Sequence, residues 1–145
     1  MVEAERHLEL ALKYLEEGRA LADRDPVQAS EKLYKAAEEA VKALAAALEL
    51  PEAAERGRWL SQLLFDAADS AAAKLGAAEP PLWWRAAWVL HVESSHEARL
   101  SGERVKKDSR YVEALVDLAR RTPGSGALKP SRAPRDSVNT SGRRR

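Results

Sequence analysis

The chain has 145 residues, of which 45% are hydrophobic and 32% are charged, and its formal net charge is +1. This length and composition fit one globular domain. The absence of cysteine excludes disulfides, thiol catalysis and cysteine-ligated zinc sites. Because no apolar run reaches the roughly 18 residues of a membrane span and no signal-peptide pattern is present, we expect a cytoplasmic protein without a membrane association. The single asparagine and two glutamines favour a thermophilic source.

Apolar residues recur at helical spacing along the chain and predict two long helices in its first third. The first helix is predicted from about Glu3 to Asp23. Its predicted inward residues are Leu8, Ala11, Leu12, Leu15 and Ala22. Asp25 is then a predicted N-cap, and Pro26 begins a second helix that extends to about Glu49. The short link predicts an antiparallel hairpin.

Three further helices are predicted, and no segment alternates with the two-residue period of a strand. The third helix extends from Arg58 to Leu75, with Leu60 among its inward residues and Gly76 as the C′ glycine. A tryptophan-rich helix follows Pro80-Pro81 and is predicted to continue to Leu100. The fifth covers about 103–121, so the predicted fold is an all-α, antiparallel up-and-down bundle of about five helices.

The composition changes after Arg121 to glycine, proline, serine and arginine. We therefore predict a helical domain over residues 1–121 and a disordered basic tail over residues 122–145. Six basic residues and one aspartate give the tail a net charge of +5, which leaves −4 on the remainder of the chain. Such a tail could bind phosphates loosely, but it has no aromatic residue on which bases could stack, which favours a solvated extension or an artefact of expression or of the reading frame.

The tryptophan-rich helix contains three of the four tryptophans and two of the three histidines, His91 and His96. At 100° per residue, Arg85 and His91 lie about 120° apart around the axis and roughly 9 Å apart along it. They cannot meet along their own helix, so a joint role requires a neighbouring element or a second subunit. Two histidines five residues apart are also unlike the i, i+4 pair of helical zinc sites, which disfavours a metal site.

Residues 29–44, 88–100 and 112–120 closely resemble the archaeal PaREP family, and the similarity covers about residues 4–121. That family resembles a branch of the HEPN helical bundles, which are often homodimers. Some HEPN proteins are metal-independent ribonucleases that act as toxins or defence effectors. The resemblance implies a homodimer directed to RNA, without cofactor or metal. It also implies an antitoxin or a nucleotidyltransferase-like protein as partner.

The HEPN active-site pattern is an arginine followed, after four to six residues, by a histidine on a late helix. Arg85 and His91 fit this pattern, and His96 is the alternative catalytic histidine because His96-Glu97 matches a frequent HEPN dipeptide. With His96, however, no arginine stands at the required distance. In the implied chemistry, the histidine transfers a proton at the ribose 2′-hydroxyl or the leaving oxygen, and the arginine neutralises phosphate charge. Symmetry would bring both residue types from two subunits into one cleft.

Each of these residues also has a purely structural interpretation. His91 is compatible with a hydrogen-bonded core histidine, Arg85 with an ion pair to a neighbouring helix, and His96 with a charged helix surface. The tryptophans fit core or interface anchors better than a base-stacking platform. The alternative function is therefore a noncatalytic helical module that binds a partner protein or a nucleotide. Arg85 and His91 exposed in one cleft would favour the enzyme, whereas burial and pairing of both would favour the module.

Overall fold

A computed structural model describes residues 2–54, 59–96 and 100–124. Within these residues the chain forms five α-helices and one 3₁₀ helix, and no strand. The helices are α1 (Val2–Leu21), α2 (Pro26–Ala47), α3 (Ser61–Leu75), α4 (Glu79–Ser94) and α5 (Gly102–Arg121), with the 3₁₀ helix at Pro51–Ala54. The predicted all-α bundle is confirmed. Among the described helices, none has the length and apolar content needed to cross a bilayer.

Helix α2 is the centre of the bundle, since it packs against each of the four other α-helices. More than half of its residues are buried, and most of these are alanines. Small side chains let neighbouring backbones approach closely, whereas Leu33, Val41 and Leu44 fill the space between them. The apolar repeat that predicted this helix therefore corresponds to burial on several sides.

The α1–α2 hairpin is antiparallel, as the short link predicts. Its register is visible from two pairs: His7 faces Glu39, and Gly18 faces Leu33. Asp25 caps α2 by accepting a hydrogen bond from the backbone N–H of Gln28 at 3.1 Å. Gly18 marks the closest approach, because a Cβ atom there would lie 2.8 Å from Leu33 Cγ.

Helix α4 ends at Ser94, six residues before the predicted end at Leu100. The hydroxyls of Ser94 and Ser95 each donate to a carbonyl three residues earlier, at 2.7 Å. Such local bonds compete with the backbone ladder of a helix and favour its termination. The prediction of a helix through residue 100 was therefore wrong, and His96 lies beyond the helix end.

Two predicted inward leucines are exposed. Leu12 is 40% exposed because it lies at the margin of the apolar stripe of α1. Leu60 is 58% exposed because it is the residue before α3, which begins at Ser61 rather than at Arg58. Gly76 has the predicted role, with φ of 67° and its N–H bonded to the carbonyl of Ala72.

The described residues extend to Gly124, three residues past the predicted domain boundary at residue 121. Thr122 is buried, and its hydroxyl donates to the carbonyl of Leu118 at 2.7 Å. Gly124 packs so close to Ala47 that a Cβ atom would lie 3.1 Å from the Ala47 carbonyl oxygen. The predicted disordered tail otherwise falls on residues 125–145, which lie outside the described residues.

Gly18→Ala should lower the stability of the fold even though alanine favours helix by about 1 kcal/mol. The added methyl would meet the fully buried Leu33 and the carbonyl of Ala29, and overpacking of this kind typically costs about 1–3 kcal/mol. Thermal or urea unfolding monitored by circular dichroism measures the change. In a Leu33→Val background, where the neighbouring side chain is smaller, Gly18→Ala should cost less stability than it does in the wild type. A higher melting temperature for Gly18→Ala would contradict the close approach of α1 and α2.

Candidate functional site

An aromatic cluster joins α2, α3 and α4. Trp84 is fully buried, with its ring centroid 5.5 Å from that of Tyr34 and 5.7 Å from that of Phe65. Trp88 is half-buried and contacts the same two rings. The indole N–H of Trp84 has no hydrogen-bond acceptor among the described residues, so packing holds this side chain. The interpretation of Trp84 as a core residue is therefore correct.

His91 lies at the edge of this cluster, where three residues set its position. Its ring stacks on Tyr34, with centroids 4.2 Å apart and planes inclined by 13°. Its Nδ1 lies 3.4 Å from Oε2 of Glu31, within ion-pair distance although the angle is not that of a hydrogen bond. Ser94 lies one turn later, and the single proton of its hydroxyl is shared between the same carboxylate oxygen and the carbonyl of His91. Glu31 is thereby held against the imidazole by a second contact.

The two ring nitrogens of His91 have different surroundings. Nδ1 is fully buried and faces Glu31, whereas the side chain as a whole is 41% exposed. The exposed part is the opposite edge of the ring, where Nε2 has no partner among the described residues. A carboxylate at one nitrogen favours a proton there and leaves the other nitrogen as an acceptor. This arrangement suits a histidine that exchanges protons with a ligand.

Arg85 lies on the same helix but apart from His91. It is exposed, and its guanidinium carbon lies 5.6 Å from the ring centroid of Phe65. No carboxylate in the described part of the chain pairs with it. The rings of Phe65 and Trp88 lie between the arginine and the histidine, in steps of 5.5 Å and 5.4 Å. Within one subunit the two residues therefore do not share a cleft, in agreement with their predicted separation around the helix.

His96 is exposed in the turn after α4, and its backbone N–H bonds to the carbonyl of Glu93 at 2.9 Å. No ring contact or ion pair involves its side chain among the described residues. Glu97, which completes the alternative motif, lies outside them. Within residues 2–54, 59–96 and 100–124, no three His, Asp or Glu side chains converge as a metal site would require.

Two titratable side chains of α2 that lie near His91, Tyr34 and Glu38, have raised pKa values. Burial raises the pKa of Tyr34, and the charges of Glu38 and Glu31 raise it further, so the phenol stays protonated. Burial also raises the pKa of Glu38. Lys42, His91 and Lys35 oppose this shift, and Glu39 adds to it. On the α2 side of the site, the carboxylate of Glu31 is therefore held near His91, and the carboxylate of Glu38 is costly to ionise.

Sequence reasoning missed Glu31, Tyr34 and Ser94 as partners of the histidine. Glu31 and Tyr34 are three residues apart on α2, and so share one face, while Ser94 follows His91 by three. This i, i+3 spacing on two predicted helices is a signal that could have suggested them. The sequence does not show which faces of α2 and α4 pack against each other.

The comparisons with known proteins place the chain in a family. Residues 6–116 match the archaeal PaREP1/PaREP8 family. The chain belongs to this family. It is similar to a Sulfolobus solfataricus protein of known crystal structure, with 40% identity over 83% of this chain and 95% of that chain, at a TM-score of 0.63. A solution structure of the same target, the Orf c02003 protein, is 38% identical over 85% of this chain and 95% of its own, at a TM-score of 0.68. A search of curated proteins finds no match.

Glu38→Gln should stabilise this PaREP protein at neutral pH. Since the folded-state pKa of Glu38 lies above its ordinary value of 4.5, the stability linked to its protonated form is complete below that value and is lost as pH rises through the folded pKa. Glutamine is neutral at every pH and avoids the loss. Melting temperatures at pH 7 and pH 4 measure the effect, with the exposed Glu9→Gln as control. The gain should be present at pH 7 and nearly absent at pH 4. An equal gain at both pH values would refute burial as the cause.

Proposed function

We propose that this PaREP protein is a HEPN-like, dimeric, metal-independent endoribonuclease that uses His91 and Arg85. The observation that carries the proposal is the surroundings of His91: one nitrogen faces Glu31, the ring stacks on Tyr34, and the other edge is open. A core histidine would bury both nitrogens. The arrangement resembles that of acid–base histidines, whose second nitrogen a carboxylate commonly orients.

The chemistry follows from an imidazole with an open Nε2. This nitrogen takes the proton of a ribose 2′-hydroxyl as the oxygen attacks the adjacent phosphorus. The bond from phosphorus to the 5′-oxygen breaks, and that oxygen takes up a proton from water. The products are a 2′,3′-cyclic phosphate and a 5′-hydroxyl. Arg85 neutralises the charge that develops on the non-bridging oxygens.

A second subunit would bring its arginine to the site. The outward face of α4 supports such an interface, since Leu82 is 61% exposed, Val89 49% and Val92 39%. At 100° per residue these three residues and Arg85 fall within about 80° of one another. If two subunits packed against each other along this stripe about a two-fold axis, their interface would cover the exposed apolar side chains and place two copies of Arg85 close together.

The noncatalytic interaction module is the second candidate, and the same apolar stripe favours it. Exposed apolar residues beside an exposed arginine are typical anchors of a protein interface. In that case the stripe would bind an unrelated partner protein, and His91 would serve only to anchor α4 on α2. RNA cleavage by the purified chain separates the two candidates.

His91→Ala and Arg85→Ala should each lower RNA cleavage by about 100-fold or more, the scale of losing one proton-transfer group or one charge stabiliser. Cleavage of a labelled single-stranded RNA measures the rate, and circular dichroism checks the fold. Arg24→Ala, an exposed arginine between α1 and α2, is the matched control and should change little. EDTA should have no effect. If His96→Ala abolishes cleavage and His91→Ala does not, the alternative motif is correct; full activity in all variants would end the catalytic assignment.

The shared cleft predicts activity in mixed dimers. A dimer of Arg85→Ala lacks both arginines and a dimer of His91→Ala lacks both histidines, whereas a mixed dimer keeps one of each. Equilibrated mixtures should therefore cleave RNA faster than either variant alone. Light scattering should give a dimer at micromolar concentration, and Val89→Glu should produce monomers with little activity. A wild-type monomer, or mixtures no faster than the variants, would count against the shared cleft.

A further inference from the structure

Three lysines converge on one tyrosine where α1 faces α2. The ammonium groups of Lys13, Lys32 and Lys35 lie 5.7, 5.6 and 5.8 Å from the ring centroid of Tyr14. All three distances are within the range of a cation–π contact. We propose that this lysine cluster binds the phosphates of single-stranded RNA and directs the strand to His91. The proposal rests on the ribonuclease function and concerns where its substrate binds.

The convergence follows from the register of the hairpin. Tyr14 precedes Gly18 by one turn, and Gly18 packs against Leu33, so the tyrosine ring reaches the level of Lys32 and Lys35. The ring is half-buried at the edge of the core, and the lysine stems cover it while their ammonium groups stay near solvent. The positions of the charges are therefore determined by the fold.

The cluster has an excess of positive charge. Lys32 pairs with Glu17 at 3.0 Å, but in the described part of the chain no carboxylate lies within ion-pair distance of Lys13 or Lys35. A ring has two faces, so at least two of the three ammonium groups share one side of it and repel each other. A chain of phosphates would neutralise this excess, and releasing counterions from the phosphates would favour binding.

Lys35 connects the cluster with the histidine. On α2 it lies one turn after Glu31, which faces His91 at 3.4 Å, and roughly 40° from it around the axis towards Lys32. Of the carboxylates along this surface, Glu31 contacts Ser94 and Glu39 contacts His7 at 2.6 Å, while burial raises the pKa of Glu38. A strand bound over the lysines would thus continue past Lys35 to the open edge of the imidazole.

The role of the lysine charges in RNA binding can be tested by a binding measurement that does not depend on cleavage. The probe is a fluorescein-labelled 2′-O-methyl oligouridylate, which cannot be cleaved because it lacks the nucleophilic hydroxyl. Anisotropy titrations at several salt concentrations compare the full-length protein with Lys13→Gln/Lys32→Gln/Lys35→Gln. Loss of three phosphate contacts should weaken binding by roughly tenfold at low salt and reduce the salt slope by about 2, since each contact to a single strand contributes about 0.7.

Two further variants isolate the position of the charges. Arg24→Gln/Lys74→Gln/Lys107→Gln removes the same charge from three scattered exposed positions, and both variants keep the basic residues 122–145. This control variant should weaken binding much less than the variant with three lysines replaced by glutamine. Lys13→Arg/Lys32→Arg/Lys35→Arg keeps the charge and should bind like the wild type. Circular dichroism verifies that each variant is folded.

Equal losses in the two glutamine variants would overturn the proposal, because only net charge would then matter. Polyglutamate of matched charge is the other arm: binding as tight as that of the oligouridylate would assign the cluster to an acidic protein instead. The outcome is independent of catalysis. If His91→Ala cleaves normally while the lysine variant loses binding, the catalytic assignment fails and the RNA-binding surface remains.

Discussion

The structure depends on the burial of α2 among the four other helices. Alanines along this helix allow close contact on several sides, and Gly18 allows the same for α1. Close packing of small residues has a consequence for function, because it fixes the distances between neighbouring helices with little freedom. Polar side chains on the remaining face of α2 are therefore held at defined distances from α1 and α4.

That remaining face carries both of the features with chemical interest. Tyr34 lies at the buried edge of this face and stacks on the imidazole of His91. Glu31 faces the same ring from one side. Lys35 lies between this site and the lysine cluster on Tyr14. A single face of α2 thus contacts His91 and also carries Lys32 and Lys35 of the lysine cluster.

The aromatic cluster keeps Arg85 and His91 apart within the chain. Phe65 and Trp88 fill the space between Arg85 and His91 and are themselves packed on the buried Trp84. Moving either residue towards the other would expose these rings to water, which is unfavourable by about 25 cal/mol per Å². The separation is therefore built into the core, and the proposed ribonuclease site would need residues from a second chain.

The sequence by itself determined that five helices form, together with the Asp25 cap and the Gly76 terminus, because these depend on local hydrogen bonds and on one apolar period. It also placed Arg85 and His91 on different sides of α4, since helix geometry requires it. Only the tertiary structure decided that His91 meets Glu31, sixty residues earlier, and that three lysines share Tyr14. Pairings of this kind depend on how two helices are rotated and offset against each other. Apolar packing across the whole bundle sets those two quantities, and no local pattern of residues encodes them.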